Sequence, residues 1–453
     1  MKQLLTFTLL FASTLLTFSQ SLNYTDLGIL FSQNENYGTA RFESMAGAFG
    51  ALGSDVSSIT INPAGGAVSK RNLFSITAGN RNTDYAINYY NKNFNNQDNF
   101  FNLTQAGAVL SFDSSYSNDW SRFALSFNYS VKKDFNGSYN LNNGEYLKYY
   151  QHENDTKTNK TEFLNSLEHN FTNSFDGETT VYNFGFSAVH LNKLFVGAAI
   201  NFHDINFTQT THLDESNQDT NGNTLTSYNL TNTYMQGNGF SLSLGFIYKL
   251  NNNFRFGLAY ETPTWYEEII EEYYDKLTMN GINNLDLDPY FDVIDDYPNS
   301  FRFKSPGKIT ASSAFIFGKR GLISIDYSFR NFKNIKYRES DQTLLEANQS
   351  FSNTLRNTHA LNIGTEWRFD RISIRGGYHY EKNPNLLAEY GGKTNKDNIK
   401  GITLGLGYNF GNTKFDLSYR KSETFDYYTL NNPGDTEINN NSSRVSATIT
   451  FNL

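Results

Sequence analysis

The 453-residue sequence has no cysteine, only seven prolines and four methionines, and 18% charged residues. Without cysteine there is neither a disulfide framework nor a lipidated N-terminal cysteine. Beyond the N-terminus no apolar run approaches the roughly 20 residues that a membrane-spanning helix needs, and a mean hydropathy of −0.54 excludes a bundle of such helices. A basic excess is missing too: 37 basic residues stand against 45 acidic ones, a net charge of −8 that disfavours nucleic acid as a partner. What the chain does have is aromatic. Its 39 Phe and 30 Tyr argue against a disordered polymer. Many aromatics, few charges and a polar average suit strands in which every second side chain faces oil.

The first residues read as an address. Met1-Lys2 supplies a basic start, Leu4 to Phe18 is mostly apolar, and Thr17 and Ser19 place a cleavage site before Gln20. Residues 1–19 are therefore expected to be a cleaved signal peptide of an exported protein, with an N-terminal anchor as the alternative reading.

The body alternates with period two. In Ser121–Val131 the residues Phe123, Leu125, Phe127, Tyr129 and Val131 share one face, opposite Ala124, Ser126, Asn128 and Ser130. The same pattern recurs in Gly239–Lys249, Arg255–Glu261, Ile323–Arg330, Leu361–Phe369 and Ile372–Tyr380. Strict alternation over about ten residues specifies strands, not helices. Strands are expected at 73–90, 104–113, 121–131, 181–190, 194–203, 239–249, 254–261, 308–317, 322–330, 359–369, 372–380, 401–410, 414–422 and 444–453, with 73–90 as one long strand.

Either a sandwich or a membrane barrel could present one apolar face. Ten residues rising about 3.3 Å each, tilted by about 40°, cover the roughly 25 Å apolar band of an outer membrane. Aromatics end that face repeatedly, at Tyr129, Tyr248, Tyr260, Phe317, Tyr380, Tyr408 and Phe410, as interfacial girdles do. The connections alternate between short, such as Leu191–Lys193 and Asp370–Arg371, and long, such as Lys132–Thr180 and Thr262–Gly307. That asymmetry separates periplasmic turns from extracellular loops. The expected fold is all-β: a 14-stranded antiparallel transmembrane β-barrel in the outer membrane of a Gram-negative bacterium, spanning 73–453. Its last strand, alternating from Val445 to Leu453, closes the wall on the first and resembles the signal read by the outer-membrane assembly machinery.

Residues 20–72 lack the alternation. Tyr37–Val68 reads YGTARFESMAGAFGALGSDVSSITINPAGGAV, with Phe42, Met45, Ala46 and Phe49 at helical spacing and Asn62-Pro63 as a turn opener. So many small residues ahead of the strands suit an N-terminal hatch, a plug filling the lumen. The run from Ala40 to Val68 resembles the hatch of the FadL/TodX outer-membrane transport proteins, with Asn62, Pro63 and Ala64 matching their NPA motif. Later strands, among them SPGKITASSAFIF and GITLGLGYNFGNTKFDLSYRKS, are similar too, so the resemblance spans the mature chain. The Asn-rich loops look like those of a Bacteroidota-type member.

The resemblance implies a monomeric barrel that passively carries hydrophobic compounds, such as long-chain fatty acids or aromatic hydrocarbons, past the lipopolysaccharide leaflet. Capture by extracellular loops, a lumen site and lateral release at a kinked third strand would follow. The third strand holds no Gly or Pro to mark such a kink. An alternative is an accessory subunit of a larger outer-membrane protein complex.

Candidate ligand contacts are Phe49 in the hatch and a stripe of Trp265, Ile269 and Tyr273 on an expected amphipathic loop helix over Thr262–Thr278, capped by Thr264. Arg255, Arg368, Arg375, Arg420, Asp326, Glu366 and Asp416 point inward by the alternation. Arg375 could meet a carboxylate ligand or join an internal ion-pair ladder. Asp286, Asp288, Asp292, Asp295 and Asp296 crowd one loop, as a calcium site or a solvated acidic segment. No other cofactor is expected. No HExxH or GxSxG appears, and the chain is read as not an enzyme.

Overall fold

The computed structural model describes residues 22–89, 92–114, 119–142, 150–152, 161–163, 165–281, 299–338, 341–385, 389–390, 393–394, 398–427 and 436–453. The signal-peptide reading and the acidic loop at Asp286–Asp296 fall outside them.

Fourteen strands pair antiparallel, each with its sequence neighbours. They are β1 (Leu73–Tyr89), β2 (Lys92–Asp113), β3 (Trp120–Asp134), β4 (Asn165–His190), β5 (Leu194–Gln218), β6 (Thr224–Lys249) and β7 (Phe254–Glu261). β8 (Lys308–Phe317), β9 (Gly321–Asn331), β10 (Asn357–Phe369), β11 (Ile372–Glu381), β12 (Ile399–Asn409), β13 (Thr413–Tyr427) and β14 (Thr436–Asn452) follow. β14 then pairs with β1 from Leu73↔Asn452 to Tyr89↔Thr436, so the sheet closes into a barrel. Closure leaves no open edge at the β14–β1 junction, which is what lipid demands. Each alternating segment marks a wall strand, and β7 and β8 begin and end where the alternation does.

The apolar face lies outside. Leu404, Leu406, Phe184, Leu244 and Phe369 are exposed on the outer surface, while their neighbours Thr403, Gly405, Asn183, Ser243 and Arg368 are turned to the interior. No water-filled explanation suits such a continuous greasy exterior.

The strands outrun the alternation at the long-loop end. β4 and β6 have 26 residues and β5 has 25, so much of the expected loops Lys132–Thr180 and Asp204–Asn238 is strand. There the outer face meets water rather than lipid and is mostly polar, while the inner face mixes polar groups with apolar ones such as Ile205, Phe207 and Met235. Asn173 and Gln209, for example, bond side chain to side chain at 3.1 Å inside that extension. Without a lipid face there is no greasy alternation to read.

A second correction concerns Thr262–Thr278. Instead of a helix, Trp265–Gly281 is a strand that continues the line of β7 beyond Pro263 and pairs with β6 from Phe240 to Leu225. A bulge at Glu267–Glu268 breaks its period-two pattern, which is how a strand came to look helical. Asn299–Lys304 and Lys336–Tyr337 extend this patch, and helix α3 (Gln342–Thr354) lies beside it.

The seam between β2 and β3 is incomplete. Ladder pairs run from Asp113↔Arg122 to Gln105↔Ser130, and among the described residues none joins them beyond that level. Past it β2 pairs only with β1, while β3 bulges between Val131 and Lys133 and resumes as Gly137–Asn142 against β4. β3 thus carries a bulge with neither Gly nor Pro at it.

Replacing Leu404, in the middle of the outer face of β12, by arginine should destabilise the barrel in lipid by about 2–4 kcal/mol, the cost of a midplane cation. Urea titration of vesicle-inserted protein measures it; an unchanged midpoint would place Leu404 away from hydrocarbon.

Candidate functional site: the filled lumen

Residues 22–72 lie within the cylinder and touch strands on all sides of it. The segment has almost no regular structure: helices α1 (Tyr24–Leu30) and α2 (Ala40–Glu43), then two 3₁₀ turns at Val56–Thr60 and Pro63–Val68. Each start is capped by a side chain: Asn23, Thr39, Asp55 and Asn62 accept from the N–H groups of Asp26, Phe42, Ser57 and Ala64.

Its seat is floored by wall glycines. A methyl group at Gly197 would meet the Ala64 nitrogen at 2.4 Å; at Gly245 it would meet Asn62 Oδ1 at 2.2 Å, and at Gly257 the Gly50 oxygen at 2.5 Å. Gly364 and Gly377, register partners on β10 and β11, lie equally close under Met45, and Gly405 lies under Ser44. Only a strand without Cβ lets a second backbone approach this closely. Asn62 binds both sides of the contact: Nδ2 donates to the oxygens of Gly50 (2.8 Å) and Phe246 (3.0 Å), and Oδ1 accepts from the Ala64 N–H at 3.1 Å. The NPA residues therefore dock the segment onto β5, β6 and β7.

Arginines do the rest. From the wall, Arg122 donates to the Ala67 oxygen (2.9 and 3.1 Å), Arg255 to that of Leu52 (3.1 Å), Arg330 to that of Ser32 (3.3 Å), and Arg420 to that of Glu35. From the segment, Arg41 reaches Glu366 at 2.8 Å, where Arg375 (2.6 Å) and Arg368 (2.5 Å) converge on the same carboxylate. Arg375 also holds Asp416 at 2.7 Å. It is thus buried between two protein carboxylates, the ladder alternative, and offers no free charge to a ligand. Burial alone would raise the Glu35 carboxyl, but Lys133 and Arg420 outweigh it and hold it at about 2.

Phe49 is also committed to packing. Its ring is fully buried 5.4 Å from that of Phe42, with the Arg41 guanidinium 5.1 Å from its centroid. Asp219, in the turn between β5 and β6, accepts from the N–H groups of Asn221 and Asn223.

The long-loop half of the lumen is aromatic. Phe31 of the N-terminal segment is ringed by Phe207 (5.7 Å), Phe135 (5.9 Å) and Phe303 (6.3 Å); Tyr266, Phe301, Tyr337 and Phe351 complete the chamber. Leu27 and Phe31 fill it. Tyr24 is tied in through Glu271 (2.6 Å) and by the Tyr337 hydroxyl, which donates to the Tyr24 oxygen at 2.7 Å. Of the expected stripe, Ile269 is wholly buried in this chamber and Tyr273 lies farther along the same strand. Trp265 packs against Phe240, 5.4 Å away, a residue exposed on the outer face. Tyr266, Phe301 and Phe303 join the chamber from a stretch that reads as loop, where the alternation of Phe301 and Phe303 is the one local signal of a strand.

At the chamber's inner edge stand three cations. Lys132 and Lys308 flank Glu261 at 3.9 and 3.2 Å, and Arg330 lies beside them. At the seam, Arg81 holds Asp134 and Asp98, both at 3.0 Å, and donates to the Asn136 oxygen at 2.6 Å. Asn96 and Asn140 exchange two hydrogen bonds of 3.1 Å across the unpaired stretch.

No family model matches the sequence, and no curated protein matches it. Solved structures do. A FadL homologue from Pseudomonas aeruginosa superposes with a TM-score of 0.56 at 13% identity, covering 92% of this chain and 99% of that one. The fold is that of the FadL-type channels. The toluene transporters TbuX of Ralstonia pickettii (TM-score 0.54, 15% identity, 93% and 99% covered) and TodX of Pseudomonas putida (0.53, 14%, 93% and 100%) are similar to it as well. The match over nearly the full length of each FadL-type structure includes the closed wall and the residues before it.

Replacing Asn62 by alanine should cost about 1–3 kcal/mol, because the Gly50 and Phe246 carbonyls lose their shared donor. Faster limited proteolysis within 40–68, with the wall strands still resistant, checks this; an unchanged cleavage rate would show that Asn62 does not hold the seat.

Proposed function

We propose that the chain is an outer-membrane channel for passive uptake of hydrophobic compounds. The short turns face the periplasm, the long extensions face outside, and residues 22–72 act as the hatch. The observation that carries the reading is the aromatic chamber occupied by Leu27 and Phe31. These are side chains on a short helix, filling a space whose walls would accept a loose apolar molecule equally well. Burying each ligand CH₂ there gains about 0.8 kcal/mol, enough to compete with water. Lys132, Lys308 and Arg330 gather round a single carboxylate, Glu261, and the remaining excess of positive charge favours a hydrophobe with an anionic head, such as a long-chain fatty acid, over a neutral hydrocarbon. Two of the neighbouring structures are toluene transporters, and that alternative ligand class separates cleanly in the same assay.

Departure through the wall is supported by the unpaired β2–β3 seam, which is held by side chains instead of a ladder. A molecule leaving at the start of the unpaired stretch, where Phe101 and Leu103 still give β2 an apolar outer face, enters the membrane without crossing the aqueous periplasm. Motion of the hatch about Asn62–Ala64 would accompany release.

A second reading, an accessory subunit of an outer-membrane complex, is favoured by a different observation: the hatch is bonded all round, and a cavity lined by charged residues lies at the opposite end of the lumen from the aromatic chamber. Purification in mild detergent with a stoichiometric partner would support it.

Two measurements test the channel. Phe31→Ala should increase oleate binding severalfold by vacating the chamber, and Lys132→Gln/Lys308→Gln should weaken oleate but not toluene; equal effects on both ligands would remove the headgroup assignment. Because the chain lacks cysteine, Asn96→Cys/Asn140→Cys introduces a lone pair across the seam. Its oxidation should stop oleate uptake in cells and reduction should restore it, whereas uptake indifferent to the crosslink would exclude this exit.

A further inference from the structure

Beneath the hatch, at the short-turn end, the lumen opens into a cavity of about 540 Å³. Eight basic side chains and four acidic ones line it, a local excess of four positive charges in a chain whose net charge is −8. The acidic residues are largely spent: Glu366 and Asp416 are held by Arg41, Arg368 and Arg375, and Asp55 lies 3.7 Å from Arg41. Arg255, Arg371 and Lys414 form no ion pair among the described residues. Arg255 reaches one carbonyl with Nη1, while its Nε is buried without a partner. Arg255 nevertheless lines the cavity with no carboxylate among the described residues to neutralise its guanidinium, a charge suited to an oxyanion.

We propose that this vestibule binds a small organic anion carrying two or more carboxylate or phosphate groups, entering from the short-turn side. Its volume falls within the range of about 300–1,000 Å³ typical of ligand sites. Ser54, Ser75, Ser373, Asn409 and Thr450 stand among the charges beside apolar Leu52, Val68, Leu73 and Leu322, so it is the excess of positive charge that selects an anion. The roof is built from Thr39, Arg41, Ser54 and Asp55 of the N-terminal segment, and the sides come from β1 and from β7 to β14. The site therefore exists only while the segment is seated, and an anion bridging roof and sides stabilises the seated state by mass action. This binding does not depend on the identity of any hydrophobic cargo in the aromatic chamber.

The test uses the full chain in detergent, titrated calorimetrically with citrate and inorganic phosphate, and with glycerol as the uncharged control. Citrate is expected to bind saturably, to raise the unfolding temperature and to weaken steeply with ionic strength. Affinity should fall at least about tenfold in Arg255→Gln/Lys414→Gln, the loss of two charge-assisted contacts. Arg371→Gln, in an exposed turn and therefore harmless to folding, should give a smaller loss in the same direction. Absence of saturable binding by the native sequence, or unchanged affinity in both variants, overturns the proposal. So does saturable binding of a ten-residue poly-aspartate peptide with none of citrate, which would make the vestibule a docking site for protein. Oleate binding is expected to survive in Arg371→Gln, whose side chain bonds neither the hatch nor the chamber, so failure here and failure of the channel reading are distinguishable.

Discussion

A closed cylinder of strands has an inside that must be filled with satisfied polar groups, and the close approach of two backbones at wall glycines is what allows this one to be filled. Where Gly197, Gly245, Gly257, Gly364, Gly377 and Gly405 expose bare backbone, the N-terminal segment sits within contact distance of the wall. A single Cβ at any of them would push it off. The other contacts presuppose that fit. Asn62 reaches the Phe246 oxygen only because Gly245 leaves room, and Arg41 meets Glu366 only because the turn at Ser44–Met45 rests on the glycines of β10–β12.

Seating divides the lumen into three tiers with different chemistry. Outermost is the aromatic chamber, dry and filled by Leu27 and Phe31. In the middle, wall arginines bond hatch carbonyls, and three guanidiniums share Glu366; charge-assisted bonds of this kind are each worth about 1.5–3 kcal/mol net. Innermost is the basic vestibule. One short segment thus forms the content of the first tier, the substance of the second and the roof of the third, so displacement of α1 above and loss of the roof below are consequences of one movement. The incomplete β2–β3 seam lies beside the middle tier. There the Glu35 N–H donates to the Lys132 oxygen at 2.9 Å, tying the hatch to the bulge itself.

The sequence disclosed the wall because lipid imposes a rule that water does not. Wherever hydrocarbon meets the strand, as at Phe123–Leu125–Phe127 or Ile402–Leu404–Leu406, each second residue must be apolar and the strand is legible. Beyond the bilayer, Thr208–Thr211 and its neighbours continue the ladder with no such constraint, and strands there read as loops. The seat was legible only as an unusual density of glycine and small residues around Asn62. Its partners lie in remote strands, and nothing local to Gly245 says that Asn62 will lie over it. The same limit explains Arg375: alternation gave its direction, while the two carboxylates that occupy it come from β10 and β13. Trp265 and Tyr266 changed roles because a helical wheel and a bulged strand assign adjacent residues to opposite faces.

The central claim is that residues 40–68 are held in the lumen as firmly as the wall holds itself. Hydrogen–deuterium exchange on the full chain in detergent tests it most directly. Amides of Ala40–Glu43 and Ala64–Val68 should exchange on the slow timescale of β10–β12, despite their lack of extended secondary structure. Exchange as fast as that of the exposed turn at Asn221–Gly222 would contradict it, leaving a barrel whose interior is not occupied by its own N-terminus.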